Sequence, residues 1–324
     1  MAGSGEPATE VYLMLTGARL SHLIVYAHDL AESTRFYRDR LGLPVLGEGG
    51  DSVRFDAGGI ELHLQPAAAY GVRLFGERDD SSDVVFLVED LERMRAALES
   101  RGVVFKRRRS YEVGLVTDFY DPNGHRLMLY QPSAESLTWP SADKIREVWA
   151  AWGRGGADLI GPAAGPATGT DEETGLHGNP LIYLFMFENS QMAAYDFYND
   201  ALALTALERV HCCNQDCDAE IEGIVKYDGG GVLLSTHHMH QSSMVVDDSG
   251  QPYSPREFRP EHGQGIAPVF RVEDLDRLVE RLAARGVVFG DGVRHGAGGA
   301  LARFEDPFGH PFFLHEPAGA AVPG

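Results

Sequence analysis

Residues 86–105, FLVEDLERMRAALESRGVVF, return at 270–289 as FRVEDLDRLVERLAARGVVF. Twelve of these twenty positions are identical. The first copy shows what the unit is: Leu91, Met94 and Leu98 fall at i, i+3 and i+7 of a helix, behind a short apolar strand and ahead of Gly102. Further out, DPNGH at 121–125 matches DPFGH at 306–310, and FYRDRLGL at 36–43 matches FYNDALAL at 197–204. Two copies of one unit, the second carrying an insertion, account for the unequal offsets.

Each copy is itself double. Leu20 to Tyr26 reads as a strand with His22, Ile24 and Tyr26 on one face. Asp29 caps a helix through about Leu41, with Leu30, Phe36, Tyr37 and Leu41 on its apolar side, and Gly42 stops it. Strands follow at Ser52–Asp56 and Ile60–Gln65. The pattern then restarts with a strand at Val84–Val88, the helix above, and strands around Val103–Phe105, Leu115–Tyr120 and Arg126–Tyr130. Asp121-Pro122-Asn123-Gly124 is a turn, Pro presetting φ and Gly free to take positive φ. The chain thus reads as an α+β protein of four βαβββ modules. The expected division is a tail at 1–18, a first domain at 19–133, a helix plus flexible linker at 134–179, a second domain at 180–318 and a tail at 319–324. Within the linker, Ile145, Val148, Trp149 and Trp152 give 141–152 a helical apolar stripe that predicts packing on a domain.

Composition narrows the function. The 324 residues carry 28 Lys and Arg against 48 Asp and Glu, a net charge of −20 that argues against general binding to nucleic acid or anionic membrane. Lys106-Arg107-Arg108-Arg109 is too short to reverse this and reads as a solvated loop. With 44% hydrophobic and 23% charged residues the balance is that of a globular protein. No apolar run approaches the ~20 residues that span a bilayer, and no secretory signal is evident. Three cysteines in this length do not make a disulfide framework, so a cytoplasmic location is expected.

The pattern resembles the vicinal oxygen chelate superfamily, which includes glyoxalase I, extradiol dioxygenases and bleomycin-resistance proteins. The resemblance rests on His22, Asp29-Leu30, Phe36-Tyr37 and Leu41-Gly42-Leu43, on Val88-Glu89-Asp90-Leu91 and Asp121-Pro122-Asn123-Gly124, and on Phe197-Tyr198, Val272-Glu273-Asp274-Leu275 and Asp306-Pro307-Phe308-Gly309 in the second copy. It implies tandem domains whose curved mixed sheets form cups. In such cups a divalent metal binds two neighbouring oxygens of a small molecule. Carried over position by position, the resemblance implies metal ligands at His22, Glu61 and Asp83, with Met128 where a carboxylate is usual. His63, two residues beyond Glu61 on the same strand face, is the candidate general base. His, Glu and Asp together suit Fe2+, Mn2+, Ni2+ or Zn2+. The second copy has Tyr183, Leu233, Ala267 and Phe313 at the same positions and implies a metal-free cup. If the copies exchange modules, His22 and Glu61 would face Ala267 and Phe313, and Asp83 and Met128 would face Tyr183 and Leu233.

The implied function is a metal-dependent isomerase, lyase or dioxygenase. The alternative is a metal-free, antibiotic-resistance-like protein that sequesters a small molecule, and a third reading is an interaction scaffold. Tyr26, Tyr130, Tyr183, Phe185, Phe187 and Phe313 would line the cups and favour a flat, partly apolar, aromatic ligand. The chain is expected to act as a monomer or homodimer. His211, Cys212, Cys213 and Cys217, with His237, His238 and His240, are the densest group of soft-metal ligands, but Cys-Cys-x3-Cys is not a zinc spacing. Gly229-Gly230-Gly231 reads as a hairpin turn, since no helix start follows to supply a phosphate cradle.

Overall fold

The computed structural model describes residues 15, 18–75, 82–111, 114–152, 175–210, 224–238 and 264–319. Four modules follow one another along the chain. The first comprises β1 (Arg19–Ala27), α1 (Leu30–Arg35, continued with π winding over Phe36–Arg40), β2 (Val45–Gly49), β3 (Ser52–Asp56) and β4 (Glu61–Pro66). The second comprises β5 (Ser82–Leu87), α2 (Leu91–Ser100), β6 (Phe105–Tyr111), β7 (Gly114–Tyr120) and β8 (Arg126–Pro132). After α3 (Asp143–Ala151) the third module holds β9 (Leu181–Glu188), α4 (Gln191–Tyr195, continued with π winding over Asp196–Ala201), β10 (Ala206–Val210), β11 (Ile224–Asp228) and β12 (Leu233–His238). The fourth holds β13 (Ile266–Arg271), α5 (Leu275–Ala284), β14 (Val293–Gly296), β15 (Gly299–Glu305) and β16 (Pro311–Pro317).

Local chemistry sets the helix ends. Asp29 accepts from the Glu32 amide at 2.9 Å and Asp90 from the Arg93 amide at 3.0 Å, so each carboxylate satisfies a donor that the first turn leaves orphaned. Gly102 leaves α2 at φ 83°, a conformation an L side chain resists. The basic run departs from expectation. Lys106 to Arg109 are strand residues of β6, paired with β7 from Phe105↔Phe119 to Tyr111↔Gly114, because the run continues the alternation of an edge strand.

The four modules make two sheets, and each sheet draws on both halves of the chain. One has the order β14-β15-β16-β13-β1-β4-β3-β2 and the other β10-β11-β12-β9-β5-β8-β7-β6. The seams are antiparallel: β1 meets β13 with Ile24 opposite Ala267, and β5 meets β9 with Asp83 opposite Phe185. The modules have therefore exchanged, the first pairing with the fourth and the second with the third.

Alternation then sorts the side chains. Leu23, Val25, Leu62, Leu64, Val84, Phe86, Leu184 and Phe270 enter one large core shared by all four modules. The opposite faces carry two smaller clusters, one on each sheet. The DP-x-GH turns bind the modules of each half together. Asp121 accepts from the Tyr37 hydroxyl at 3.1 Å and from the His125 amide at 2.9 Å. Asp306 accepts from Tyr198 at 2.6 Å and from the His310 amide at 2.8 Å. In both places the buried aspartate is fully used by hydrogen bonds, which is how a carboxylate survives in a core. Among the described residues no helix is long and apolar enough to cross a membrane.

Candidate functional site

The smaller cluster on the first sheet contains Ile24, Tyr26, Ala267 and Val269, with Ala67 and Leu74 of the β4–β5 connection packed at one end and Phe313 at the edge. His22 stands on the same face of β1, and β4 runs parallel beside it with Glu61 opposite His22 and His63 opposite Ile24. Across the seam, Val269 lies opposite His22 and Phe313 opposite Val269. The polar groups of this face therefore come chiefly from the first module, while the fourth supplies Ala267, Val269 and Phe313 together with His315 near His22.

The polar half is a connected network. The His22 and His63 rings stack with centroids 3.9 Å apart and planes at 17°. His63 Nε2 lies 2.7 Å from Glu61 Oε2, and Arg54 Nη1 donates to the same oxygen at 3.4 Å. Ser21 Oγ donates to the Val269 carbonyl at 3.0 Å and meets His22 Nδ1 at 3.0 Å. Burial, with the neighbouring His63 and His315, pulls the His22 pKa down to about 3, so the ring is neutral at physiological pH. Burial also lowers His63, against the pull of Glu61. The Glu61 side chain is 37% exposed and that of His63 18%, so this network opens to solvent.

Asp83 is elsewhere. It starts β5 on the second sheet, is 1% exposed, and takes two hydrogen bonds from Arg126, from Nε and Nη2, each at 2.5 Å. Burial pushes the Asp83 carboxyl up, and the Arg126 guanidinium beside it pulls it back. Around this pair, Arg126 lies over the Phe187 ring at 5.3 Å, and His237 packs on Phe185 at 4.3 Å while meeting Ser235 Oγ at 3.0 Å. Burial, with the charges of Lys226 and Arg126, holds His237 at about 3. The rest of this concave face is covered by the chain's own helix. Ile145 and Trp149 of α3, with Leu137, join Val85, Leu87, Tyr130, Tyr183 and Leu233 in a single apolar cluster. Ser141 and Glu208 are hydrogen-bonded, and Lys226 donates to Ser141 at 3.2 Å and lies over Trp139 at 4.3 Å, fixing the segment that leads into α3.

Residues 19–129 and 181–314 match the sequence profile of the Glyoxalase/Bleomycin resistance protein/Dioxygenase superfamily. The chain belongs to that superfamily. Glyoxalase I from Zea mays is similar over 92% of this chain and 92% of its own, with 13% identity and a TM-score of 0.54. A point mutant of the same enzyme gives 14% identity, 93% and 94% coverage and a TM-score of 0.55. A provisionally assigned dioxygenase from Bacillus subtilis gives 15% identity, 93% and 85% coverage and a TM-score of 0.52. At these identities the likeness is one of fold. No curated protein gives a significant match.

Superfamily members often bind a metal in the cup, but the residues present here do not fit one in the arrangement the sequence suggests. His22 and Glu61 belong to the first sheet, and Asp83 belongs to the second with its carboxylate committed to Arg126. Glu61 already accepts from His63 and from a guanidinium, the facing positions Ala267, Val269 and Phe313 offer no donor, and His315, the other imidazole near His22, bonds through Nε2 to the Gly298 carbonyl at 3.2 Å. Among the described residues no three His, Cys, Asp or Glu side chains gather in ligating geometry. His211, Cys212, Cys213, Cys217 and His240 lie outside the described residues, while His237 and His238 go separate ways, His237 to Ser235 and His238 to Glu188 at 3.1 Å.

The register also revises which residues correspond between modules. Met128 lies opposite Val85, two residues past Asp83, and Phe313 lies opposite Val269, two residues past Ala267. The same step in the first module leads from His22 to His63, not to Glu61. In the third it leads from Tyr183 to Ser235, not to Leu233. The signal was present in the sequence: counting four residues beyond the glycine of Asp56–Gly59, Asp121–Gly124, Asp228–Gly231 and Asp306–Gly309 reaches His63, Met128, Ser235 and Phe313. Ser21, Arg54 and Arg126 carry no motif, and only strand pairing shows their partners.

Proposed function

We propose that this protein binds a small, flat, partly apolar molecule in the cup of the first sheet and does so without a resident metal ion. The observation that carries this reading is the division of His22 and Glu61 from Asp83 between two sheets. A cup in which an acceptor-rich histidine pair faces Val269 and Phe313 retains the means to hold an aromatic ligand by stacking and hydrogen bonding. The family membership supports a small-molecule ligand. The second cup takes no ligand in this reading, because α3 occupies its apolar half and the Asp83–Arg126 pair closes its polar half.

Metal analysis of tag-free protein is the test, repeated after anaerobic loading with Fe2+ and after Mn2+, Ni2+ or Zn2+. Well under one ion per chain is expected, with a thermal midpoint that EDTA does not move. Stoichiometric metal that disappears in His22→Ala would overturn the proposal and restore a metal-dependent isomerase, lyase or dioxygenase.

A further inference from the structure

The hydrogen bonds of the first cup fix where its protons are, and that fixes what the cup can accept. The Ser21 hydroxyl has one proton, and the Val269 carbonyl 3.0 Å away can only receive it. Ser21 Oγ must then be the acceptor toward His22, which places the His22 proton on Nδ1 and leaves a lone pair on Nε2. Glu61 is flanked by Arg54 and by His63, and its carboxylate accepts from both. The His63 proton is therefore on Nε2, and the lone pair is on Nδ1. Each ring has its single proton placed by these bonds, and a second proton on either would put charge into the stack. Two stacked imidazoles, 3.9 Å apart, thus each keep one unprotonated nitrogen.

A pair of nitrogen acceptors without a proton between them repels carboxylate and phosphate oxygens and is satisfied by a hydroxyl or amine proton. The surroundings say more about the donor. Ile24, Tyr26, Val269 and Phe313 provide flat apolar contact, while Arg303, opposite Phe313 on β15, is exposed and paired with Glu305 at 2.6 Å. A hydroxyl carried directly on a flat unsaturated ring meets these conditions: it donates strongly and it lies in the plane of a ring that fills the apolar part of the face. From this proton arrangement we infer that the cup selects phenols and enols, ligands that donate an O–H to the His22–His63 pair, over their ethers and over carboxylates. This rests on the metal-free cup reading and specifies its ligand class.

The tautomers are readable without any ligand. In 15N-imidazole NMR, His22 should show the less common Nδ1-protonated form and His63 the Nε2-protonated form. Ser21→Ala should release His22 to the Nε2-protonated form, and Glu61→Ala, which removes the acceptor, should release the His63 proton from Nε2. For binding, phenol, anisole and benzoate share a ring and differ in the group offered, and the phenol keeps its proton at neutral pH. The phenol should bind about tenfold or more tightly than the ether, the ratio expected for one hydrogen bond in a partly buried site. The benzoate should bind more weakly than the phenol. Ser21→Ala, which frees His22 to carry its proton on the cup-facing Nε2, should lower the ratio of phenol to ether binding, whereas a general loss of structure would weaken both compounds alike. Equal binding of phenol and ether, or an Nε2-protonated His22 in the wild type, would overturn the inference while leaving the cup as a binding site. Failure of all three compounds to bind would instead overturn the reading of the cup itself.

Discussion

The two concave faces of this protein come from the same repeated module and have opposite fates. On the first sheet the leading position of the module, His22, stacks on His63 in an open network. On the second sheet the corresponding position, Asp83, is locked to Arg126 and sealed under 1% exposure. The first face is partly roofed by the short connection at Ala67 to Leu74, and the second is filled by α3 with Ile145 and Trp149. What a repeat passes on is strand, helix and core. What stands on the concave face is free to diverge, because that face does not contribute to the shared core between the sheets and helices.

That contrast can be broken at several points. Arg126→Ala should cost about 4 kcal/mol in urea unfolding, since it leaves the Asp83 carboxylate buried without a partner. A loss below 1 kcal/mol would show that the second cup is open to water. Trp149→Ala should cost about 3 kcal/mol if α3 is a fixed part of the second face; an unchanged unfolding midpoint would mean that the helix is only loosely seated.

Acid titration addresses both cups at once. His22 and His237 are each held at about 3 against an ordinary 6.5, so the unfolded chain binds protons that the folded chain refuses. The stability these neutral rings permit is fully present above about pH 6.5 and is lost as pH falls toward 3. His237→Phe and His22→Phe should each reduce the slope of unfolding free energy against pH by up to about one proton in that window. A slope unchanged in His22→Phe alone would show the first cup to be more hydrated than its geometry implies. The smallest effect belongs to Glu61→Gln, which should alter stability by less than about 1 kcal/mol because Glu61 and Arg54 are solvated and an amide oxygen can still accept from His63. A larger loss would make the first cup as structural as the second.

Much of this was legible in the residues. The duplicated helix, the DP-x-GH turns and the alternation of His22, Ile24 and Tyr26 are local patterns, and local periodicity is what a sequence states directly. The helix at 141–152 was visible in the spacing of its tryptophans, though not the face it would cover. The site was read less completely. Glu61 was set where His63 belongs because the strand was aligned by its carboxylate rather than by the glycine turn before it. Asp83 joins His22 only through the resemblance carried over position by position within the first copy, whereas the sheets pair modules across the two copies. Lys106 to Arg109 looked like a loop because charge masked the alternation of an edge strand. Only for Asp83 is the missing information a set of neighbours far away in sequence, Phe185 and the rest of the third module across the seam.

The amino-acid sequence determined the repeated βαβββ module, its helices and turns, and the alternation of the first strand, since each follows from propensity and periodicity within a few residues. Only the tertiary structure decided that the first module pairs with the fourth and the second with the third. Either pairing buries the same apolar faces and satisfies the same backbone groups, so nothing local distinguishes them. The choice of seam decided which four positions share a cup. It gave His22 the company of His63, Val269 and Phe313, and it sent Asp83 to Arg126.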